Sequence, residues 1–215
     1  MVNDSKYGSL MKKQFLKNAL LVAVSICVSY QVMAGEIAMT RTTIRDAFAL
    51  AETDPDTVND ALAAADAFLA DQPGDPVVMS YRGGLLGMKA RDAILPWKKI
   101  DYAEQSIAVL DEVFQQRNGT AFADPASKLT ILMVRGIAFA NFPSFLGRSD
   151  DALQALTEAT RHPDFTQVKP EDRAVVFAWM SVITARKGND AVAQQFLVQA
   201  EGLDRRIAQS VWKQR

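Results

Sequence analysis

Thiols and imidazoles are nearly missing from this 215-residue chain: it holds one cysteine, Cys27, and one histidine, His162. Beyond Cys27 nothing can form a disulfide, a thiol nucleophile or a thiolate metal site. One histidine also excludes multi-histidine metal centres. No unbroken run reaches the roughly 20 apolar residues that span a bilayer, because Ser25, Ser29, Tyr30 and Gln31 interrupt the apolar stretch at 19–34. With 24 Lys and Arg against 25 Asp and Glu, the chain has no basic excess of the kind nucleic-acid binders show. There is no sustained two-residue alternation to suggest a sheet. Phosphate-binding glycine loops, nucleophile elbows and metal-binding helix motifs are also missing.

What is present begins with residues 11–34, MKKQFLKNALLVAVSICVSYQVMA. Lys12, Lys13 and Lys17 precede an apolar middle at about 19–28, and Val32-Met33-Ala34 makes a small-residue cleavage box. This is the layout of a bacterial secretory signal. Met11 is the more natural start, since residues 1–10 put an acid and a turn ahead of the basic cluster. Two alternatives are an uncleaved inner-membrane anchor and lipidation at Cys27, the latter disfavoured by Ile26 just before it. Cleavage after Ala34 gives a periplasmic product of 181 residues (215 − 34), enough for one domain with a core. Lys6, Lys12, Lys13, Lys17 and Asp4 then leave, so 20 bases face 24 acids, a net of −4.

Along residues 35–215 apolar positions recur at helical spacing. Asp54-Pro55, Asp71 to Pro76, Asn118-Gly119, Asp124-Pro125, His162-Pro163-Asp164 and Lys187-Gly188-Asn189 fall between apolar runs, where helices should stop and restart. About eight helices are expected. The first four cover about 42–53, 56–70, 76–93 and from 96 onward, with Pro96 at a first helical position where its missing N–H costs nothing. Val58, Leu62, Ala65 and Leu69 form one stripe of the second. Ile100, Ala103, Ile107, Leu110 and Phe114 form the expected buried stripe of the fourth, with Asp101, Glu104, Asp111 and Glu112 turned mostly to solvent. Residues 129–142 and 174–185 are apolar nearly all round, so neighbours should surround them. More amphipathic helices follow near 149–161 and 189–203, so that inner and outer helices alternate.

Those last two pairs share a pattern. Gly147, Ala152, Leu156 and Ala159 match Gly188, Ala193, Leu197 and Ala200 at a period of 41 residues (188 − 147). A glycine turns the chain, an alanine lets helices approach closely, and a larger apolar residue fills the groove. Phe177, Met180, Ser181 and Thr184 precede the second set, Pro163 follows Ala159, and a glycine-less echo occurs at Ser106, Leu110 and Val113. This order resembles the tetratricopeptide repeat, over about 125–203. The period is longer than that family's roughly 34 residues, and residues 141–146 are inserted between inner and outer helices of the earlier unit. The resemblance implies an all-α stack of antiparallel helix pairs, a short tetratricopeptide-like solenoid. It also implies a concave surface lined by inner helices that grips a protein, a peptide or an extended ligand.

Few residues suggest a site, and each has a plain structural alternative. Arg82 and Arg135 each precede a glycine inside a helix, where glycine costs about 1 kcal/mol against alanine. They either offer guanidinium forks to a carboxylate-bearing partner or make structural ion pairs beside close helix packing. Trp97, Lys98 and Tyr102 make an aromatic and basic cluster at a helix start, or a tryptophan packed by a proline cap with solvated lysines. The loop Phe142-Pro143-Ser144-Phe145-Leu146-Gly147-Arg148 is either a plug into the core or an exposed binding patch. His162 reads as a helix-end cation facing carbonyls.

The function expected is non-catalytic: a periplasmic binding or adaptor protein whose partner is a protein or peptide of the cell envelope. No cofactor, metal, nucleic acid or stable membrane insertion after cleavage is expected. The partner-binding residues would be Arg82, Trp97, Lys98, Tyr102, Arg135, Phe145 and Arg148. Two alternatives are an accessory protein of an envelope transporter or cell-wall system that holds a small apolar ligand, and a carboxylate-based hydrolase. Two acids close together in a cleft, with shifted titration, would favour the last. A third alternative is a purely structural subunit whose groove is filled by its own terminal segment, 209–215, with Trp212 as the docking residue.

Overall fold

The computed structural model describes residues 40–116 and 124–215. The expected export signal, Cys27 and the expected turn at Asn118-Gly119 lie outside them. Among the described residues there are eight α-helices and no strand. In chain order they are α1 (Arg41–Thr53), α2 (Val58–Asp71), α3 (Pro76–Asp92), α4 (Pro96–Gln115), α5 (Pro125–Asn141), α6 (Ser149–Thr160), α7 (Pro170–Arg186) and α8 (Asp190–Trp212).

Asp-Pro pairs set several of these starts. Asp75 accepts hydrogen bonds from Val77 N at 3.1 Å and Val78 N at 3.0 Å, while Asp124 accepts from Ser127 N at 3.1 Å. In each case the carboxylate satisfies free N–H groups of the first turn, and the proline that follows needs no partner there. Pro96 and Pro170 open α4 and α7 in the same first position. His162 works on the turn after it rather than on the helix before it. Its Nδ1 accepts from Asp164 N at 3.3 Å, capping the 3-10 turn Pro163–Gln167. The ring thus caps the turn that follows it and does not face the carbonyls of α6.

Each odd-numbered helix packs on the even-numbered helix after it, and the odd-numbered helices also pack on one another in the order α1, α3, α5, α7. They run in one direction. Arg41 of α1 pairs with Asp75 before α3 at 2.7 Å, and the Phe48 ring lies 4.9 Å from that of Tyr81 further along both helices. Phe142, after α5, touches the Gly87 position near the end of α3, and Arg186 of α7 donates to Ala140 O of α5 at 3.1 Å. As their sequences predict, α5 and α7 are buried on several sides: α7 hides Val176, Ala178, Trp179, Met180, Val182 and Ile183. The same holds for α3, from Val77 to Leu86.

All six apolar members of the 41-residue pattern are buried, Ala152, Leu156 and Ala159 on α6 and Ala193, Leu197 and Ala200 on α8. So are Ser106, Leu110 and Val113 of the echo on α4. Close approach explains them. A Cβ added at Gly83 would stand 2.7 Å from Leu110 Cγ, and one at Gly136 would stand 2.6 Å from Leu156 Cγ. Two helices therefore meet where an inner glycine receives an outer leucine, and each buried leucine contributes about 1.5–3 kcal/mol. Hydroxyls join the same contacts, Ser106 Oγ donating to Gly83 O at 2.7 Å and Ser181 Oγ to Ala193 O at 2.8 Å.

Four more expectations change. The buried stripe of α2 is Val58, Ala61, Ala65 and Phe68, with Leu62 and Leu69 only half-buried. The buried stripe of α4 is Ala103, Ser106, Leu110 and Val113, while Ile100 is exposed, because α4 turns its small residues toward the glycines of α3. Gly188 turns the chain directly after α7 with φ of 79°, but Gly147, with φ of 68°, ends a separate 3-10 turn, Ser144–Leu146. Finally, α8 does not stop near Leu203. It kinks at Asp204, whose carboxylate accepts from Ile207 N at 2.9 Å and starts a further stretch. That stretch buries Ala208 and Val211, and Arg186 Nη2 donates to Gln214 O at 2.7 Å, so the terminal segment is a helical extension held at the end of α7.

Candidate functional site

The expected site residues fall into separate groups. Arg135 of α5 is 3% exposed, and its guanidinium donates to Asp111 Oδ1 of α4 at 2.8 Å. It also lies 4.1 Å from the Phe114 ring centroid and 4.6 Å from that of Phe139. Arg148 joins it, pairing with Asp111 Oδ2 and, at 3.1 Å, with Asp151 Oδ2, its guanidinium 4.5 Å from the same Phe139 ring. Asp111 is thus not a solvent-facing acid. It ties two arginines and three helices together. Both Nε atoms, of Arg135 and Arg148, are buried without a hydrogen-bond partner.

Arg82 sits apart from that cluster. It pairs with Asp66 of α2 at 2.6 Å, and both side chains stay partly exposed. With Met79, Val109 and Glu112 it lines a concavity of about 240 Å³.

A third group lies where α3 turns into α4. Trp97 is 63% exposed, so it does not pack beside the proline that opens the helix. Ile94 is 93% exposed, and Leu95 and Ile100 are exposed as well. The Tyr102 ring has Lys89 Nζ at 4.8 Å and Lys98 Nζ at 5.9 Å from its centroid, attracted to the negative face of the ring. The loop after α5 divides its aromatics between the two roles proposed for it. Phe142 is buried, 5.9 Å from Phe139, while Phe145 is 73% exposed. Because α3 and α5 run the same way, Phe145 and the Ile94–Ile100 segment occupy the same end of the helix layers.

A fourth group was not visible in the sequence. Glu52, near the end of α1, is pushed up from 4.5 to about 7, first by burial, then by the negative charge of Asp172, with Arg91 opposing. Asp172 of α7 is also raised, mainly by burial. The Glu52 side chain nonetheless reaches solvent, so its carboxylate is recessed among protein atoms without being sealed from water. Tyr81, beneath α1, is pushed up to about 12 by burial. These groups come from α1, α3 and α7, and no local motif joins positions so far apart in the chain.

No group of three or more His, Cys, Asp or Glu residues that could hold a metal ion occurs among the described residues. No helix among them is long and apolar enough to cross a membrane. Compared with known proteins, the chain matches no family model, no curated protein and no solved structure.

Proposed function

We propose that this chain is a non-catalytic recognition protein of the bacterial periplasm, built as a short tetratricopeptide-like stack and exported by its N-terminal signal. The observation that carries the reading is the apolar rim at the end of α3 and α5. Ile94, Leu95, Trp97 and Ile100 project into solvent beside lysines, with Phe145 exposed at the same end of the helix layers, and clusters of exposed apolar residues mark contact surfaces. The stacking order of α1, α3, α5 and α7 supports the solenoid, as do the repeated glycine-to-leucine contacts. Lys98 and Tyr102 flank the contact surface, while Arg82 stays apart on α3, paired with Asp66. Arg135 and Arg148 act from below, holding α4, α5 and α6 in place.

A photo-crosslinking residue placed at Trp97 in the exported protein should trap an envelope protein or peptide, and one at exposed Val198 on α8 should not. Equal trapping at both positions, or none at Trp97, would remove the reading.

One observation favours a second reading, a carboxylate-based hydrolase: burial pushes Glu52 up to about 7 and raises Asp172, and Glu52 also feels the negative charge of Asp172. A general acid needs a proton held near neutral pH. Turnover of a hydrolysable envelope polymer that is lost in Glu52→Gln and Asp172→Asn would favour this reading over binding.

A further inference from the structure

The geometry points to a lipid surface as the occupant of the exposed rim: we propose that the Ile94–Ile100 segment and Phe145 dock this protein on an anionic bilayer. This goes beyond the recognition reading, which gives Trp97 and Lys98 a protein or peptide partner, and the experiment below separates the two.

Three observations carry it. First, the connection that leads into α4 is open to solvent. Ile94 projects with 93% of its surface open, on the three-residue connection 93–95, and Trp97 follows on the first turn of α4. A protruding isoleucine needs a matching pocket on a protein, whereas a bilayer deforms around it. Tryptophan suits such a boundary because it has an apolar ring with one polar N–H.

Second, charge changes sign locally. Between positions 89 and 100 four cations, Lys89, Arg91, Lys98 and Lys99, stand against one carboxylate, Asp92, in a chain of net charge −1. An apolar tip ringed by cations complements the interface of a membrane with negative headgroups.

Third, the chain leaves the positive end of α4 uncompensated. Its first turn has no acidic residue, and Leu95 provides no side-chain cap. Lys98 adds positive charge there, while Lys99 Nζ reaches Arg91 O at the end of α3 at 3.3 Å. A headgroup phosphate resting there would offset both terms.

The test uses the full chain and vesicles of phosphatidylcholine with or without about one third phosphatidylglycerol. The wild-type protein should co-sediment with the anionic vesicles and release as salt rises. Ile94→Ser with Trp97→Ser should weaken that partition by about tenfold or more, as expected for removing two apolar anchors. Leu50→Ser and Val198→Ser, exposed apolar positions outside the rim, should leave it unchanged and control for the N-terminal apolar stretch. Lys98→Glu with Lys99→Glu should weaken binding to anionic vesicles only.

Partition that ignores the rim substitutions, or that is equal on neutral vesicles, overturns the lipid proposal. If those substitutions abolish crosslinking to a protein but leave vesicle partition intact, the rim serves a protein partner and the recognition reading stands without this inference. If neither vesicle partition nor crosslinking responds to them, both fall.

Discussion

The Asp111 carboxylate of α4 and the Arg135 guanidinium of α5 form a 2.8 Å ion pair whose arginine is almost wholly inside the protein. Arg148 shares the carboxylate, and two phenyl rings face the guanidiniums. Removing Asp111 would leave the buried Arg135 with only the 3.9 Å contact to Asp151, and breaking a buried pair in this way costs up to about 3–5 kcal/mol. Asp111→Ala should therefore destabilise strongly. Asp66→Ala, which frees the exposed Arg82, should cost less than about 1 kcal/mol. Urea denaturation of the two variants checks the ranking, and equal midpoints would contradict it.

The glycine-to-leucine contact predicts a steric cost with a specific rescue. Gly136→Ala should lose about 1–3 kcal/mol, because the new methyl overlaps Leu156 and lies 3.3 Å from its backbone nitrogen. Pairing it with Leu156→Ala should recover part of that loss, a coupling that a double-mutant cycle measures. Strict additivity of the two substitutions would show that the helices do not meet there.

Phe142 and Phe145 lie three positions apart and should behave as opposites. Truncating the buried Phe142 to alanine should cost about 3–5 kcal/mol, whereas Phe145→Ala should stay within about 0.5 kcal/mol. Thermal melts of the two proteins distinguish a core plug from an exposed tip.

Glu52 makes stability depend on pH with a defined sign. Its folded pKa, about 7, lies above the unfolded value near 4.5. The folded state therefore holds the proton more tightly, and stability from this group is lost as pH rises from 4.5 through 7. Glu52→Gln should match wild type near pH 4 and melt higher at pH 8. A variant that melts lower at pH 8 would mean that the ionised carboxylate has a favourable partner.

Much of the helical layout was legible because its signals are local. Asp75-Pro76 and Asp124-Pro125 combine a cap with a first-position proline, and the apolar density of α5 and α7 foretold burial on several sides. Rotation of a helix about its axis was less legible. In α4 large Ile100 is exposed and small Ser106 is inside, because the Ser106 hydroxyl donates to Gly83 O at 2.7 Å and fits beside Gly87. Long-range pairs left no trace in the sequence. Nothing near Asp111 announces Arg135, and nothing near Glu52 announces Asp172, since each pair exists only after separate helices stack. Trp97 was flagged by its composition, but its exposure depends on a three-residue connection too short to fold back over it.

The most direct measurement is quantitative affinity capture from cell envelopes with the wild-type protein and Trp97→Ala, both verified as folded by circular dichroism. Recognition through the apolar rim predicts a defined envelope component that is retained by wild type and lost with Trp97→Ala. Capture unchanged by that substitution, together with substrate turnover that depends on Glu52, would contradict it.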